Sequence, residues 1–426
     1  MECVDPLRTG LTVAEAQRVV LALAPQLAPE TCASADALGR VLAEPVVSTR
    51  TLPPADNSAM DGYAVRCADL ADTTHAAPVA LRVAFEVAAG DRHERALALG
   101  EAARIFTGAA IPPGADTVVK QEDTERAGAL VRIRVAPRHG ENVRPAGEDV
   151  RAGELVLDSG AELGPAALGL LAALGRTVVA VRQRPRVAIV SGGDELVEPD
   201  SAVYEGRIVS SNSYTLSAQC RLAGAEPIYL GIARDTPEAL EERLRAGSRA
   251  DLIVTSGGVS VGDRDYVRPV LEKLGCTLVF WGVQMKPGYP IVFGRFGESG
   301  PLVFGLPGNP VSAMVTFEQF VRPVLRKMAG YSAWFRPVVR ATLADDFEKT
   351  AGRMHFVRVS LEPKSDAPGE FVARSTGNQS SGVLRSMALA HGLLILPAAQ
   401  TRLRAGERGE VQVLDEGFFA AREPGF

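Results

Sequence analysis

Apolar residues along this chain keep two different periods, and the switches between them mark out its elements. Residues 11–28 and 34–44 carry apolar positions at helical spacing and run into "EPVVSTRTLPP", which predicts two N-terminal helices. Over 78–135 the spacing shortens to alternation in "VALRVAFEV", "ARIFTG", "DTVVKQED" and "ALVRIRV", with turn residues between the runs. That is the pattern of a small β domain. The segment "ENVRPAGEDVRAGELVLDSG" (141–160) is rich in glycine and charge and reads as a return connection. The most apolar long stretch, "LGPAALGLLAALGRTVVAV" (163–181), reads as a buried helix, a stop at Gly175 and a strand. Pro165, the glycines and Arg176 argue against a membrane span there.

From residue 185 short apolar runs alternate with helical ones. "RVAIVS" precedes a helix near 211–223, and "PIYLGIA" precedes one near 236–247 opened by Asp235-Thr236-Pro237. "DLIVTS" precedes a helix near 264–274, then come "TLVFWGVQM", "PLVFGLPG" and a helix starting at Asn309-Pro310. Strands alternating with helices predict an α/β domain on a parallel sheet with right-handed crossovers. Ligands on such sheets sit at the carboxyl ends of the strands. The loops "SGGDE", "TSGGVSVGD" and "LPGNP" all follow strands and should gather on one edge. Beyond 331, "RPVVRATLADDFEK", "FVRVSLEP", "EFVARSTGN", "GLLILP" and "EVQVLDE" predict a C-terminal β domain.

Composition narrows the function classes. The chain has 426 residues, 46% hydrophobic and 23% charged, which suits about three globular domains. A net charge of −5 gives no chain-level footprint for nucleic acid. Five scattered cysteines, Cys3, Cys32, Cys67, Cys220 and Cys276, have no zinc-knuckle or redox spacing and fit reduced thiols in the cytoplasm. Glu2 and Asp5 stand where a secretory signal would be basic. The histidines (His75, His93, His139, His355, His391) show no paired spacing, so neither a His-based zinc site nor a Ser-His-Asp triad is supported.

The candidate chemistry lies in polar loops. "ADNSAMDGYAV" (55–65) crowds Asp56, Asn57, Ser58 and Asp61 into one turn-rich stretch. In "TSGGVSVGD", Thr255, Ser256 and Ser260 offer hydroxyls, and Gly257, Gly258 and Gly262 let backbone N–H groups approach a ligand. With a helix start behind it, this loop is an anion cradle, though it lacks the Lys-Ser/Thr ending of a P-loop. In "GLPGNPVSA", Asn309 is placed as an N-cap, Pro310 at the first helical position, and Gly308 where bare backbone can touch phosphate. Lys286 in "QMKPGYP" is placed for an anion contact. Asp194, Glu195, Asp263 and Asp265 are carboxylates on the same predicted edge, an oxygen-only set suited to Mg²⁺. A structural glycine turn, a plain capped helix and an acidic surface edge are the ordinary alternatives.

Together these strings resemble the molybdopterin molybdotransferases, the MoeA family, whose eukaryotic relative is the E domain of gephyrin. The resemblance is carried, in order, by "LPPADNSAMDGYAVR", "RIFTGAAIPPGADTVVKQED", "ENVRPAGEDVRAGE", "RPRVAIVSGGDELV", "SNSYTL", "DLIVTSGGVSVGDRDYV", "MKPGYP", "VFGLPGNPVSAMVTFEQFVRPVLRKMAG" and "STGNQSSGVLRSM". It implies insertion of molybdate into adenylylated molybdopterin with release of AMP, assisted by Mg²⁺. It also implies an elongated four-domain homodimer with its site between subunits, and a central domain similar to that of the adenylyltransferase acting one step earlier, which is a candidate partner. The implied layout is a linker and dimerisation domain (1–50 and 141–180), an inserted small β domain (51–140), a central α/β molybdopterin-binding domain (181–330) and a C-terminal β domain (331–426).

Carried over residue by residue, the resemblance marks Asp61, Thr107, Asp149, Glu195, Asp235, Asp265 and Lys286 for catalysis, with Glu195, Asp235 and Asp265 toward the metal. It marks Ser256, Gly257, Gly258, Ser260, Gly262, Asp263, Pro307, Gly308, Asn309, Pro310 and Ser381 for substrate binding. The loop at 55–65 is then expected to reach the partner subunit's pocket. The chain departs from the family's common pattern at Gly282, Tyr289 and Gly382, each a lost donor or charge that arginines such as Arg264, Arg268 or Arg385 could replace. A gephyrin-like scaffold, or a pterin or nucleotide binder without metal insertion, is the alternative to the enzyme.

Overall fold

The computed structural model describes residues 7–91, 94–259, 266–364, 367 and 369–419. The chain forms two compact units, one of residues 1–43, 160–164 and 178–426, the other of 44–159 and 165–177.

The first unit is built on a seven-stranded sheet. Its strands are β1 (Arg8–Leu11), β2 (Arg186–Gly192), β3 (Glu226–Ala233), β4 (Leu252–Ser256), β5 (Cys276–Val283), β6 (Val292–Phe296) and β7 (Leu302–Leu306). They lie in the order β1-β5-β6-β7-β4-β2-β3. All neighbours are parallel except those of β6, which runs against both β5 and β7. The continuous apolar runs of β4 and β7 are buried along their whole length, as strands covered on both faces must be.

Helices cover both faces. On one side α1 (Val13–Leu23), α2 (Ser211–Leu222) and α5 (Pro310–Thr316) pack Val20, Leu216 and Val315 against Val187, Val254 and Phe304. On the other, α3 (Pro237–Ala246) and α4 (Val267–Lys273) pack Leu240, Leu244 and Leu271 against Ala188, Ile253 and Val303. A capping box starts α1: Glu15 N–H donates to Thr12 Oγ1, and Glu15 Oε2 accepts from Thr12 N–H. Phe280, Phe293 and Phe304 form an aromatic file across β5, β6 and β7, with centroid separations of 5.5 and 4.7 Å. Downstream, a six-stranded C-terminal sheet closes on itself because Met354–Pro363 pairs with both Phe371–Ser375 and Gly392–Leu396, giving a small barrel. Met285–Lys286 adds to its edge beside Met354 and His355.

In the second unit a six-stranded sheet runs Thr117–Lys120, Gly62–Val65, Glu101–Ile105, Val79–Val87, Leu130–Ile133, Thr124–Ala127. One apolar cluster, including Tyr63, Leu70 and Val131, packs on one side, and another, including Ala64, Ile105 and Val118, on the other.

Three expectations are corrected. The region 34–44 is not a helix. Only Ser34–Asp36 makes a single tight turn, and Val41 and Leu42 bridge to Glu162 and Val181 instead. Extended backbone delivers the same apolar residues to the core, so tertiary pairing overrides the helical spacing. The strand β6 breaks the all-parallel pattern, because the hairpin from β5 leaves too few residues for a crossover. The apolar helix Pro165–Ala173 forms but buries only Leu171, so it is not the buried helix its composition suggested.

Phe293 is fully buried at the centre of the aromatic file. Phe293→Ala should cost about 3–5 kcal/mol in urea unfolding of this unit. A loss under about 1 kcal/mol would show that the file is not where the sheet's stability resides.

Candidate functional site

Because β2, β3, β4 and β7 run parallel, the loops after their last residues emerge together. Gly192 ends β2, Gly193 and Glu195 follow it, and Asp235 follows β3. Ser256, Gly257 and Gly258 close β4, and Pro307, Gly308, Asn309 and Pro310 link β7 to α5. All of these line one cavity of about 730 Å³, together with Ser210, Asn212, Gly382 and Leu384.

Local packing explains the residue types. Gly257 has φ +97°, and a Cβ there would lie 2.7 Å from the Gly192 carbonyl oxygen, so only glycine fits between the two loops. Asn309 stands at the N-cap of α5 but makes no side-chain capping bond, which leaves its carboxamide to the cavity. Val311 N–H donates to the Ser381 carbonyl at 3.1 Å, fastening the 378–384 loop to the helix start. Asp194 and Asp235 brace the wall reciprocally. Asp194 N–H donates to Asp235 Oδ2 at 3.2 Å, and Asp235 N–H to Asp194 Oδ1 at 3.1 Å. Arg234 and Arg207 both donate to the Asp194 carbonyl. Two carboxylates, Glu195 and Asp235, thus stand on the cavity wall beside a glycine cradle and a helix start.

Lys286 lines a second cavity of about 450 Å³, with Lys349, His355, Arg358 and Gln379, and with two carboxylates, Asp346 and Glu348, that pair with Arg402. Arg358 is 1% exposed and donates to the carbonyls of Asn378 and Ser380 and to Ser386 Oγ, with no carboxylate among these partners. Burial pulls its guanidinium down to about 10. Burial, with Lys286, Lys349 and Arg353 nearby, pushes the His355 imidazole down to about 4, and it is therefore neutral near pH 7. The 378–384 loop borders both cavities, through Gln379 on one side and Gly382 and Leu384 on the other.

In the second unit Asp61 and Thr107 meet. Asp61 Oδ1 accepts from Thr107 N–H at 2.8 Å and from Thr107 Oγ1–H at 2.7 Å. These two bonds hold its carboxyl below the usual range. Arg104, stacked 5.1 Å from the Tyr63 ring and 5.2 Å from that of Phe106, adds a nearby positive charge. Two other polar groups of the 55–65 stretch have structural partners: Asp56 Oδ1 accepts from Ala146 N–H, and Ser58 Oγ bonds to Met60, while Asn57 Oδ1 is buried without one among the described residues. Asp149 sits exposed in a turn, where its N–H donates to the Leu52 carbonyl.

The structure therefore gathers Glu195, Asp235, Ser256, Gly257, Gly258, Pro307, Gly308, Asn309 and Pro310 on one cavity and pairs Asp61 with Thr107. It sets Lys286 on the second cavity of the same unit. Ser260, Gly262, Asp263, Arg264 and Asp265 lie outside the described residues. Sequence reasoning passed over Asn212 and Arg358. The string "SNSYTL" contained the first, but nothing in its spacing said that the amide would reach two other loops. Gly282 has φ +77°, and a Cβ there would sit 3.2 Å from the Tyr289 ring, which packs edge-on to Trp281 and 4.3 Å beneath the Arg353 guanidinium. The glycine and the tyrosine are thus one packing unit, and Arg353 is a cation beside them that the sequence reading did not name.

The depressed pKa of His355 has a sign that can be checked. The unfolded chain takes up a proton near pH 6.5 and the folded chain only near 4, so this group's contribution is complete above about 6.5 and is lost as pH falls toward 4. His355→Gln should narrow the stability difference between pH 7 and pH 4.5, by about 1 kcal/mol since solvent reaches part of the ring. Urea midpoints at the two pH values measure it, and an unchanged difference contradicts the burial of this ring.

Residues 11–175 match the MoeA N-terminal region (domain I and II), residues 188–327 a probable molybdopterin binding domain, and residues 340–414 the MoeA C-terminal region (domain IV). The chain is 42% identical over 372 residues to a molybdopterin molybdenumtransferase of Nostoc, covering 87% of this chain and 85% of that protein. It is 39% identical over 406 residues to molybdopterin molybdenumtransferase 2 of Mycobacterium tuberculosis, covering 94% and 98%. Among solved structures, the molybdopterin biosynthesis MoeA protein of Pyrococcus horikoshii OT3 superposes with a TM-score of 0.80 at 32% identity, covering 95% of this chain and 100% of that one. With three consecutive regions of the family in order and a shared fold over nearly its whole length, the chain belongs to the MoeA family of molybdopterin molybdenumtransferases.

Proposed function

We propose that this chain inserts molybdate into adenylylated molybdopterin and releases AMP, completing the molybdenum cofactor. The observation that carries this reading is the 730 Å³ cavity at the carboxyl edge of the sheet, walled by Gly257, Gly258, Gly308 and the start of α5. Its volume suits an extended organic anion, and its bare backbone and helix start suit phosphate. Molybdate, the second substrate, belongs at the Lys286 end, where Lys349, Arg353 and Arg358 add positive charge, the carboxylates Asp346 and Glu348 are paired with Arg402, and Ser381 lies on the intervening loop.

Holding pterin dithiolene, pyrophosphate and oxyanion in register supplies most of the acceleration, because the reaction asks little proton transfer of the protein. Glu195 and Asp235 would hold Mg²⁺. The described residues contain no cluster of three or more metal-ligating side chains, and the fit is to an ion that takes its remaining ligands from phosphate and water. When bound, the ion would polarise the pyrophosphate. Asp194 keeps Asp235 in place through their reciprocal bonds. Neutral His355 adds no proton-transfer group of its own and leaves the positive charge to Lys286 and its neighbours.

The working form in this reading is a homodimer, with residues 1–50 and 141–180 carrying the contact and the Asp61–Thr107 pair serving the partner's site. What supports it is the helix Pro165–Ala173, apolar on every side yet burying only Leu171. No helix among the described residues is long and apolar enough to cross a membrane, so another protein surface is the fitting cover.

The deciding experiment supplies purified protein with adenylylated molybdopterin, molybdate and Mg²⁺ and measures AMP release. Molybdate-dependent release is expected, and none above a protein-free control would leave a scaffold or a non-inserting binder. Asp235→Asn should lower kcat/KM about tenfold or more at little change in melting temperature. A melting shift large enough to explain the loss would move Asp235 from the site to the framework. Leu170→Glu should convert a species of twice the 45.0 kDa chain mass to monomer in sedimentation. A wild type already monomeric at micromolar concentration contradicts the dimer.

A further inference from the structure

Asn212, the second residue of α2, is 8% exposed and lies at the floor of the main cavity. Its Nδ2 donates to Ser256 Oγ at 2.6 Å and to the Gly308 carbonyl at 2.8 Å. The geometry fixes which end of the amide is which. A backbone carbonyl only accepts, so the group facing Gly308 is the NH₂. The other hydrogen of that NH₂ then points at Ser256. An amide nitrogen cannot accept, so Ser256 Oγ must spend a lone pair on this bond and keep its own O–H for something else.

We propose that Asn212 is a positioning residue that turns the Ser256 hydroxyl into a committed hydrogen-bond donor for an anionic phosphate oxygen in the cavity. Ser256 is 2% exposed, lines the same cavity, and among the described residues shows no second side-chain bond. The arrangement carries a cost that packing alone would not retain. Oδ1 of Asn212 is buried with no partner, a penalty that an apolar side chain of similar size would avoid. What the amide supplies in return is the direction of one hydroxyl and the spacing of two loops. The bonds span β4 and β7, adjacent strands in which Ser256 pairs with Leu306. One side chain therefore sets where the hydroxyl of one loop and the bare backbone at Gly308 stand relative to each other.

This inference rests on the proposed substrate, and the test keeps the two apart. AMP is the probe for direct binding by calorimetry, and KM and kcat come from molybdate-dependent AMP release. Asn212→Leu and Ser256→Ala should each weaken AMP binding and raise KM about tenfold, the scale of one charge-assisted bond, with kcat within about threefold of wild type. The double variant should be no worse than the worse single, because Asn212 acts through Ser256. Asn212→Ala replaces the leucine variant if that one does not fold. Losses that multiply in the double variant overturn the proposal, as does unchanged AMP affinity in Ser256→Ala or a wild type that binds no AMP. A wild type that binds AMP with the expected coupling but releases none on turnover supports the positioning role and overturns the proposed reaction. One that turns over while the single variants keep their KM overturns the positioning role alone.

Discussion

The parallel pairing of β2, β4 and β7 is the constraint on which the rest of the first unit depends. Val187 through Ser191 align with Leu252 through Ser256, and those in turn with Leu302 through Leu306. Parallel strands in register end at one edge, so the loops that follow them face the same space. Much of the main cavity is attached to those ends: Gly193 and Glu195, Ser256 to Gly258, and Gly308 with the start of α5, to which β3 adds Asp235 and α2 adds Asn212. A one-residue slip of any strand would reverse its side chains and withdraw its loop from the cavity.

The two cavities of this unit are electrically different. The main one is walled by glycines, hydroxyls and amides, with carboxylates at Glu195 and Asp235. The second mixes both signs: Lys286, Lys349 and a carbonyl-held arginine stand around a neutral histidine, with Asp346 and Glu348, both paired to Arg402, on the same wall. A guanidinium placed among carbonyl oxygens keeps its positive charge available, where a carboxylate partner would have cancelled it. The 378–384 loop, tied to Arg358 on one side and to Val311 on the other, stands between the two cavities.

Gly282 and Tyr289, where the sequence reading expected a lost charge, form one packing unit. The positive φ at Gly282 strains any side chain there, and the Tyr289 ring 3.2 Å from its Cβ position would have to shift by a few tenths of an ångström. Arg353 stacks on the same ring and Arg268 over Trp281, so positive charge returns to this corner from other elements.

Local rules by themselves determined most of the elements: the βα alternation from 185 onward, the Asn309-Pro310 helix start and the glycine cradle each rest on short-range chemistry that reads directly in the letters. Only the tertiary structure decided the rest. The 34–44 segment follows its long-range bridges and not its spacing. The helix at 165–173 is as apolar as a core helix yet stands largely uncovered, because composition says what a helix would bury and not what lies beside it. Asn212 and Arg358 owe their roles to partners 44 and 96 residues away in one case, and 20 to 28 in the other. A hydrogen bond depends on position to within a fraction of an ångström, and no period along the chain encodes which distant carbonyl an amide will meet.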